Sequence, residues 1–355
     1  MSRTERLDRF QQRHPSVGFP IAVVYKALDD RASHLAAMVT YYAFASLFPL
    51  MLLFVSGAGF FVQGDPALRR QLTSAVVSNV PGIGSELRRA INGFHGSGAG
   101  LAVGVVGVLY GALGSGQAAQ TAFNQIYGVP RFCQPDPIRS RVRGLGLLVL
   151  LGAAVLISTG VTAVVSTANG LSSQLGTWAK VGGYALTFVI NCGLFSVAYQ
   201  LLTALELRLR DVLVGGILAG SAWELLQTLG ARFIAHELSR STALYGTFGV
   251  VVATLLWIYL EALALMLAGE VNVVRTRRLY PRALVSQWAG YFELTTADEA
   301  AYRLYASSQR FKPIEEIVVR FDGAASHGQA FEHDRAEVQQ QGEEEGDQPG
   351  SQSPP

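Results

Sequence analysis

Residues 242–282 read TALYGTFGVVVATLLWIYLEALALMLAGEVNVVRTRRLYPR. The run from Tyr245 to Gly269 is long enough to cross the roughly 30 Å hydrocarbon core of a bilayer, and Glu261 is the single charge within it. It ends on Glu270 and then on an arginine cluster, Arg275, Arg277, Arg278 and Arg282. A greasy helix that closes on cations is what a membrane span with a cytoplasmic end requires.

Composition agrees. Of 355 residues, 50% are hydrophobic and 15% charged, where a soluble domain carries roughly 25% charged residues. An ordinary soluble domain is excluded, and a polytopic membrane protein is expected. The two cysteines, Cys133 and Cys192, fall in a basic loop and inside an apolar segment, so neither a disulfide nor a metal site is read. The histidines are scattered (His14, His34, His95, His236, His327 and His333) and no paired-carboxylate motif accompanies them. A hydrolytic metal centre needs several ligands at one place, so no metal, no cofactor and no enzyme are expected.

Upstream of the last span the chain alternates between apolar runs and charged connections. Residues 1–34 are a basic, partly helical lead, with no cleaved signal peptide read in front of the first long apolar run. That run, 35–62, holds no charge, and Pro49 within it suggests a tilt or kink. Residues 63–97 read as two short amphipathic helices lying on the membrane or capping the bundle. The second span, 98–126, places Gly100, Gly104, Gly107, Gly111 and Gly114 on one stripe. In lipid, helices associate through close packing, so such a stripe marks an interface at the centre of the bundle. Spans at 144–168, 181–205, 212–235 and 245–269 follow, the fifth carrying Gly216 and Gly220 one turn apart. Residues 281–322 form a partly helical flank, with a capped amphipathic helix over 296–311. The acidic tail 323–355 is expected to be disordered.

The fold expected is thus all-α, a six-helix bundle with both termini on one side. Sixteen lysines and arginines fall on the side of the termini and seven on the other, which makes the terminal side cytoplasmic.

Three stretches are also alike in another sense. YYAFASLFPL (41–50), the Asn124-Gln-Ile-Tyr-Gly approach to an arginine-rich loop, and residues 242–274 resemble the YihY/BrkB family of bacterial inner-membrane proteins. The elements Tyr245-Gly246, Trp257-Ile-Tyr259 and Gly269-Glu270-Val-Asn272 carry the resemblance together, over about residues 33–280. It implies a six-helix protein of the bacterial inner membrane with no settled biochemical role. Some members bear virulence or serum-resistance labels, and an older label is ribonuclease BN.

The site candidates are polar residues at membrane depth. Glu224 lies near the middle of the fifth span, where a carboxylate must face protein or a polar cavity. It reads either as a proton or headgroup contact or as an acid hydrogen-bonded to a neighbouring helix, such as at Asn191. Glu261 could share its layer. Glu270 and Asn272 fall at the cytoplasmic interface beside Arg275, and an interfacial ion pair that fixes the helix end is the preferred reading. Arg131, Arg139, Arg141 and Arg143 could hold anionic lipid headgroups or nucleic acid, but positive-inside topology needs those charges anyway and is preferred. The bilayer is therefore the expected partner, with anionic headgroups as a further candidate, no nucleic acid, and no oligomeric state assigned. Two functions follow: a transporter-like protein for a lipid or amphiphile, and a non-catalytic envelope scaffold with a cytoplasmic tail.

Overall fold

The computed structural model describes residues 3–61, 98–147, 149–150, 153, 157, 173–241, 246–284 and 294–321. Among the described residues all regular structure is helical. The elements are α1 (Arg3–Arg13), α2 (Pro15–Asp29), α3 (Ala32–Phe61), α4 (Gly98–Ile126), α5 (Ser173–Leu202), α6 (Leu209–Ser241), α7 (Gly246–Arg277) and α8 (Thr296–Ser308). A 3₁₀ turn, Arg131–Cys133, follows α4, and residues 137–147 are again helical. The amphipathic helices expected over 63–97, most of the span expected over 144–168, and the tail 323–355 lie outside the described residues.

Among the described residues, three helices are long and apolar enough to cross a membrane: Lys180–Leu202, Leu209–Leu229 and Val251–Arg277. The last also has the sidedness that lipid demands. Val252, Leu256, Leu260 and Leu267 are exposed, while Thr254, Glu261, Glu270 and Asn272 on the same helix are buried. Apolar side chains outside and polar ones inside is the arrangement that keeps unpaired polar atoms away from hydrocarbon.

The chain divides into two compact units. One runs from Val23 to Arg278 and includes Ser308–Glu315. Within it α3 packs along α4, α5 along α6, and α7 against α6, α3 and α4. The glycine stripe of α4 explains how closely two of these helices lie. A Cβ added to Gly111 would sit 2.6 Å from Ser46 Cβ, and one on Gly114 would sit 2.6 Å from the Tyr42 ring. Gly107 is half-buried, and the surroundings of Gly100 and Gly104 lie outside the described residues. Two residues beyond the stripe, a Cβ on Gly116 would sit 3.0 Å from Gly144 Cα, and Gln120 Nε2 donates to Ser140 O at 2.9 Å. These contacts bring the helix of 137–147 against α4.

α4 ends at a left-handed Gly128, φ 64°, where Gly128 N donates to Gln125 O at 3.0 Å and Val129 N to Asn124 O at 2.8 Å. Glycine accepts that conformation without a Cβ clash, and the two bonds satisfy carbonyls that the helix leaves open.

The other unit comprises, among the described residues, 3–22, 279–284, 294–307 and 316–321. Its centre is a buried ion pair, Arg282 Nε to Asp298 Oδ1 at 2.9 Å. Asp298 also accepts Ala283 N at 2.9 Å and Thr295 N at 3.0 Å, while Thr295 Oγ1 accepts Asp298 N at 3.1 Å. Thr295 and Asp298 thus cap α8 reciprocally. The two ends of the chain meet here: Leu284 N donates to Asp8 Oδ1 at 2.9 Å, and Gln11 Nε2 donates to Arg282 O.

Candidate functional site

Two groups of polar side chains lie among the apolar helices of the larger unit. The first joins α5 and α6. Asn191 Nδ2 donates to Glu224 Oε1 at 2.7 Å. Glycine makes the approach possible. A Cβ on Gly220 would fall 2.8 Å from Cys192 Sγ, and one on Gly216 would overlap Ser196 Oγ. The two helices therefore touch backbone to side chain one turn below the pair. Glu224 is half-buried. Glu261, on α7, is buried, and its Oε1 has no hydrogen-bond partner among the described residues. The two acids share no hydrogen bond: the Glu224 carboxylate is engaged by Asn191 instead.

The second group gathers at the ends of α2, α4 and α7. Lys26 Nζ donates to Asp30 Oδ2, to the Ile126 carbonyl at 3.0 Å and to Glu270 Oε2 at 3.3 Å. Lys26 and Asp30 are each 5% exposed and Glu270 is 0% exposed. The spacing of Lys26 and Asp30 puts them one turn apart on one face of α2. Ile126 closes α4, so the ammonium also caps the negative end of that helix. Gln125 Nε2 holds the Asp30 carbonyl at 2.8 Å.

Asn272, two residues beyond Glu270, is equally enclosed. Its Oδ1 accepts Gly215 N at 2.7 Å, and its Nδ2 donates to the Tyr127 hydroxyl at 3.1 Å and to Val212 O at 3.3 Å. Nearby, Asn124 Oδ1 accepts Ala204 N at 2.8 Å and Tyr199 Oη donates to Leu265 O at 2.8 Å.

Burial acts on these groups in opposite directions. Desolvation would lower the Lys26 pKa, but the charges of Glu270 and Asp30 outweigh it and raise the value above 10.5. Burial pushes the Asp30 carboxyl up from its ordinary value, against the pull of Lys26. Burial likewise raises the Tyr127 phenol. The lysine therefore stays charged, the tyrosine stays neutral, and Asp30 holds a proton more readily than a free carboxyl.

Several expectations need correction. Glu270 does not pair with Arg275 at an exposed interface. It is fully enclosed and pairs with Lys26, while Arg275 is exposed and donates to Arg210 O at 2.8 Å. Lys26, counted with the topology charges of the lead, is buried. Arg131, Arg139 and Arg141 are exposed; Arg143 is half-buried and reaches Thr203 O at 3.5 Å. Arg131 also lies over the Phe311 ring at 4.9 Å, and Arg310 over Phe132 at 5.2 Å. Sequence reading missed Lys26, Asp30 and Tyr127 as site members. The four-residue spacing of Lys26 and Asp30 was the one local signal for them.

Among the described residues, no three His, Cys, Asp or Glu side chains gather as metal ligands. No solved structure matches the chain. It is 26% identical over 276 residues to a UPF0761 membrane protein of Psychrobacter sp. (strain PRwf-1), which covers 72% of this chain and 48% of that one. It is 25% identical to a UPF0761 membrane protein of Halorhodospira halophila (strain DSM 244 / SL1), over 73% of this chain and 58% of the relative. The chain thus spans about half the length of these two curated relatives. A ribonuclease-like protein of Bacillus subtilis (strain 168), YfkH, is 22% identical over 68% of this chain and 90% of its own length. The family model described as Virulence factor BrkB matches residues 23–289, which take in every helix of the larger unit and both polar groups. On that match the chain belongs to the BrkB family of membrane proteins.

Proposed function

We propose that this chain is a multi-pass protein of the bacterial cytoplasmic membrane that moves a lipid or amphiphile and performs no chemical step. The bond between Asn191 and Glu224 carries the proposal. A carboxylate at membrane depth is costly and is retained where it meets a polar path. Here the acid sits half-buried at a glycine-lined contact of two apolar helices, with Leu225 and Leu229 exposed on the same helix. Polar atoms beside an apolar wall suit a headgroup with acyl chains attached. Glu261 is the second acid along this path, and anionic headgroups are the partner that suits the exposed Arg131, Arg139 and Arg141.

Six spans with both termini cytoplasmic belong to the same proposal. The bonds from Leu284 to Asp8 and from Gln11 to Arg282 support it, because flanks that touch lie on one side and so enclose an even number of crossings.

A direct test uses the purified chain in vesicles of phosphatidylethanolamine and phosphatidylglycerol carrying a trace of NBD-labelled lipid. Dithionite bleaches only outer-leaflet label. The wild-type chain should let dithionite bleach more than the outer half, and E224Q should slow this at least tenfold at equal protein. Equal rates for the two would reject the role of Glu224, and no bleaching beyond the outer half would reject lipid movement.

A scaffold is the second reading, favoured by the unit built around Arg282 and Asp298, which gives the chain a folded extramembrane surface. It expects E224Q to behave as wild type and removal of 283–355 to abolish function. A ribonuclease reading would need activity in purified protein that one substitution abolishes.

A further inference from the structure

We propose that Asp30 and Glu270 form a proton-binding site, in which one proton is shared between two buried carboxyl groups beside Lys26. The hydrogen-bond count comes first. An ammonium has three N–H donors, and those of Lys26 are all engaged, by Asp30, Ile126 and Glu270. Asp30 Oδ2 and Glu270 Oε2 both accept from this one ammonium, which holds the two carboxyl groups side by side. Two ionised carboxylates have four acceptor oxygens and no donor, so they cannot bond to each other without a proton between them. Glu270 Oε1, enclosed, has no hydrogen-bond partner among the described residues.

The charge count agrees. Lys26 and Asp29 on α2 and Tyr127 after α4 act on the pair, and Asp211 on α6 acts on Tyr127. Tyr127 is neutral, and Asp29 and Asp211 are acidic. Among the described residues, Lys26 is then the one cation set against two enclosed carboxyls, which leaves them one negative charge in excess. An uncompensated charge in a site closed to solvent is costly, and carboxyl pairs in such places take up one proton. The raised Asp30 value has the same cause.

The site joins the ends of three helices, so loss of the proton would loosen α2 from α7. On the carrier reading, and resting on it, the proton is the coupling ion of lipid movement. The proton site itself does not depend on that reading.

Infrared difference spectroscopy of the full chain in detergent at pH 7 tests it through the C=O stretch of a protonated carboxyl. D30N and E270Q each leave one carboxylate opposite one ammonium, so each variant should lose one such band. A difference spectrum showing only loss of an ionised carboxylate would overturn the proposal. If E270Q does not fold, D30N decides alone, because the neutral amide balances the site. D30N should keep its yield and flatten the fall in melting temperature that the wild type shows as pH rises above 3.8, the ordinary value of Asp30. An unchanged slope in D30N would equally overturn it. Lipid bleaching that fails while the band is present would reject the carrier and leave the proton site standing.

Discussion

Gly215 and Asn272 meet where α6 crosses α7: the Gly215 N–H donates to Asn272 Oδ1 at 2.7 Å, and a Cβ at 215 would overlap the amide. The side chain also holds Tyr127 and Val212, so one amide ties three segments together. N272A would take their partner from the Gly215 N–H and the Tyr127 hydroxyl in an enclosed place. Each orphaned group costs about 1–3 kcal/mol, and a marked drop in melting temperature in detergent should follow. G215A should be as harmful through the clash, and N272D should not rescue, because a carboxylate cannot donate to the Val212 carbonyl and would put a charge in an enclosed place.

The contact of α5 with α6 depends on the absence of a side chain at 216. G216A should lower stability by about 1–3 kcal/mol, the usual range for overpacking. S196A, which removes the hydroxyl that the new methyl would meet, should restore part of it. A double-mutant cycle on melting temperatures measures the coupling, and additive effects would contradict this packing.

In the smaller unit, Asp298 satisfies both Arg282 and the start of α8. D298A leaves an enclosed guanidinium without that carboxylate, a loss of about 3–5 kcal/mol for a buried pair. Proteolysis at residues 279–310 should become fast while the helices of the larger unit stay protected.

Lys26 sets an alkaline limit. Its pKa is raised in the fold, so its contribution is fully present below 10.5 and is lost as pH rises through the higher folded value. The part of the melting temperature that Lys26 supports should be lost only in that range. K26M should be destabilised already at neutral pH by about 3–5 kcal/mol, since it leaves two carboxyls without their cation. Measured melting curves from pH 7 to 11 check both.

Much of this was legible in the chain. The bounds of α4 follow from its apolar run and from the Gly128 and Pro130 that stop it, and the stripe through Gly111 and Gly114 announced a close neighbour. Asn191 was a natural partner for Glu224, because both lie inside apolar runs where a lone polar group needs another. The second polar group was not legible. Glu270 and Arg275 are near in sequence but about 140° apart around a helix of 3.6 residues per turn, so one faces inward and the other outward. The real partner, Lys26, is 244 residues away. It sits in a lead whose charges read as solvated, yet its ammonium reaches the end of α4 at Ile126 and α7 at Glu270.

The transport reading depends on the side of the membrane that the polar ends occupy, and the chain carries its own probe. Cys133 is exposed in the basic loop after α4, whereas Cys192 is buried. A membrane-impermeant maleimide, applied to intact spheroplasts and to inverted membrane vesicles from the same cells, should label Cys133 only in the inverted vesicles, and C133S should remove the signal. Labelling of Cys133 in intact spheroplasts would put the loop outside and contradict the account.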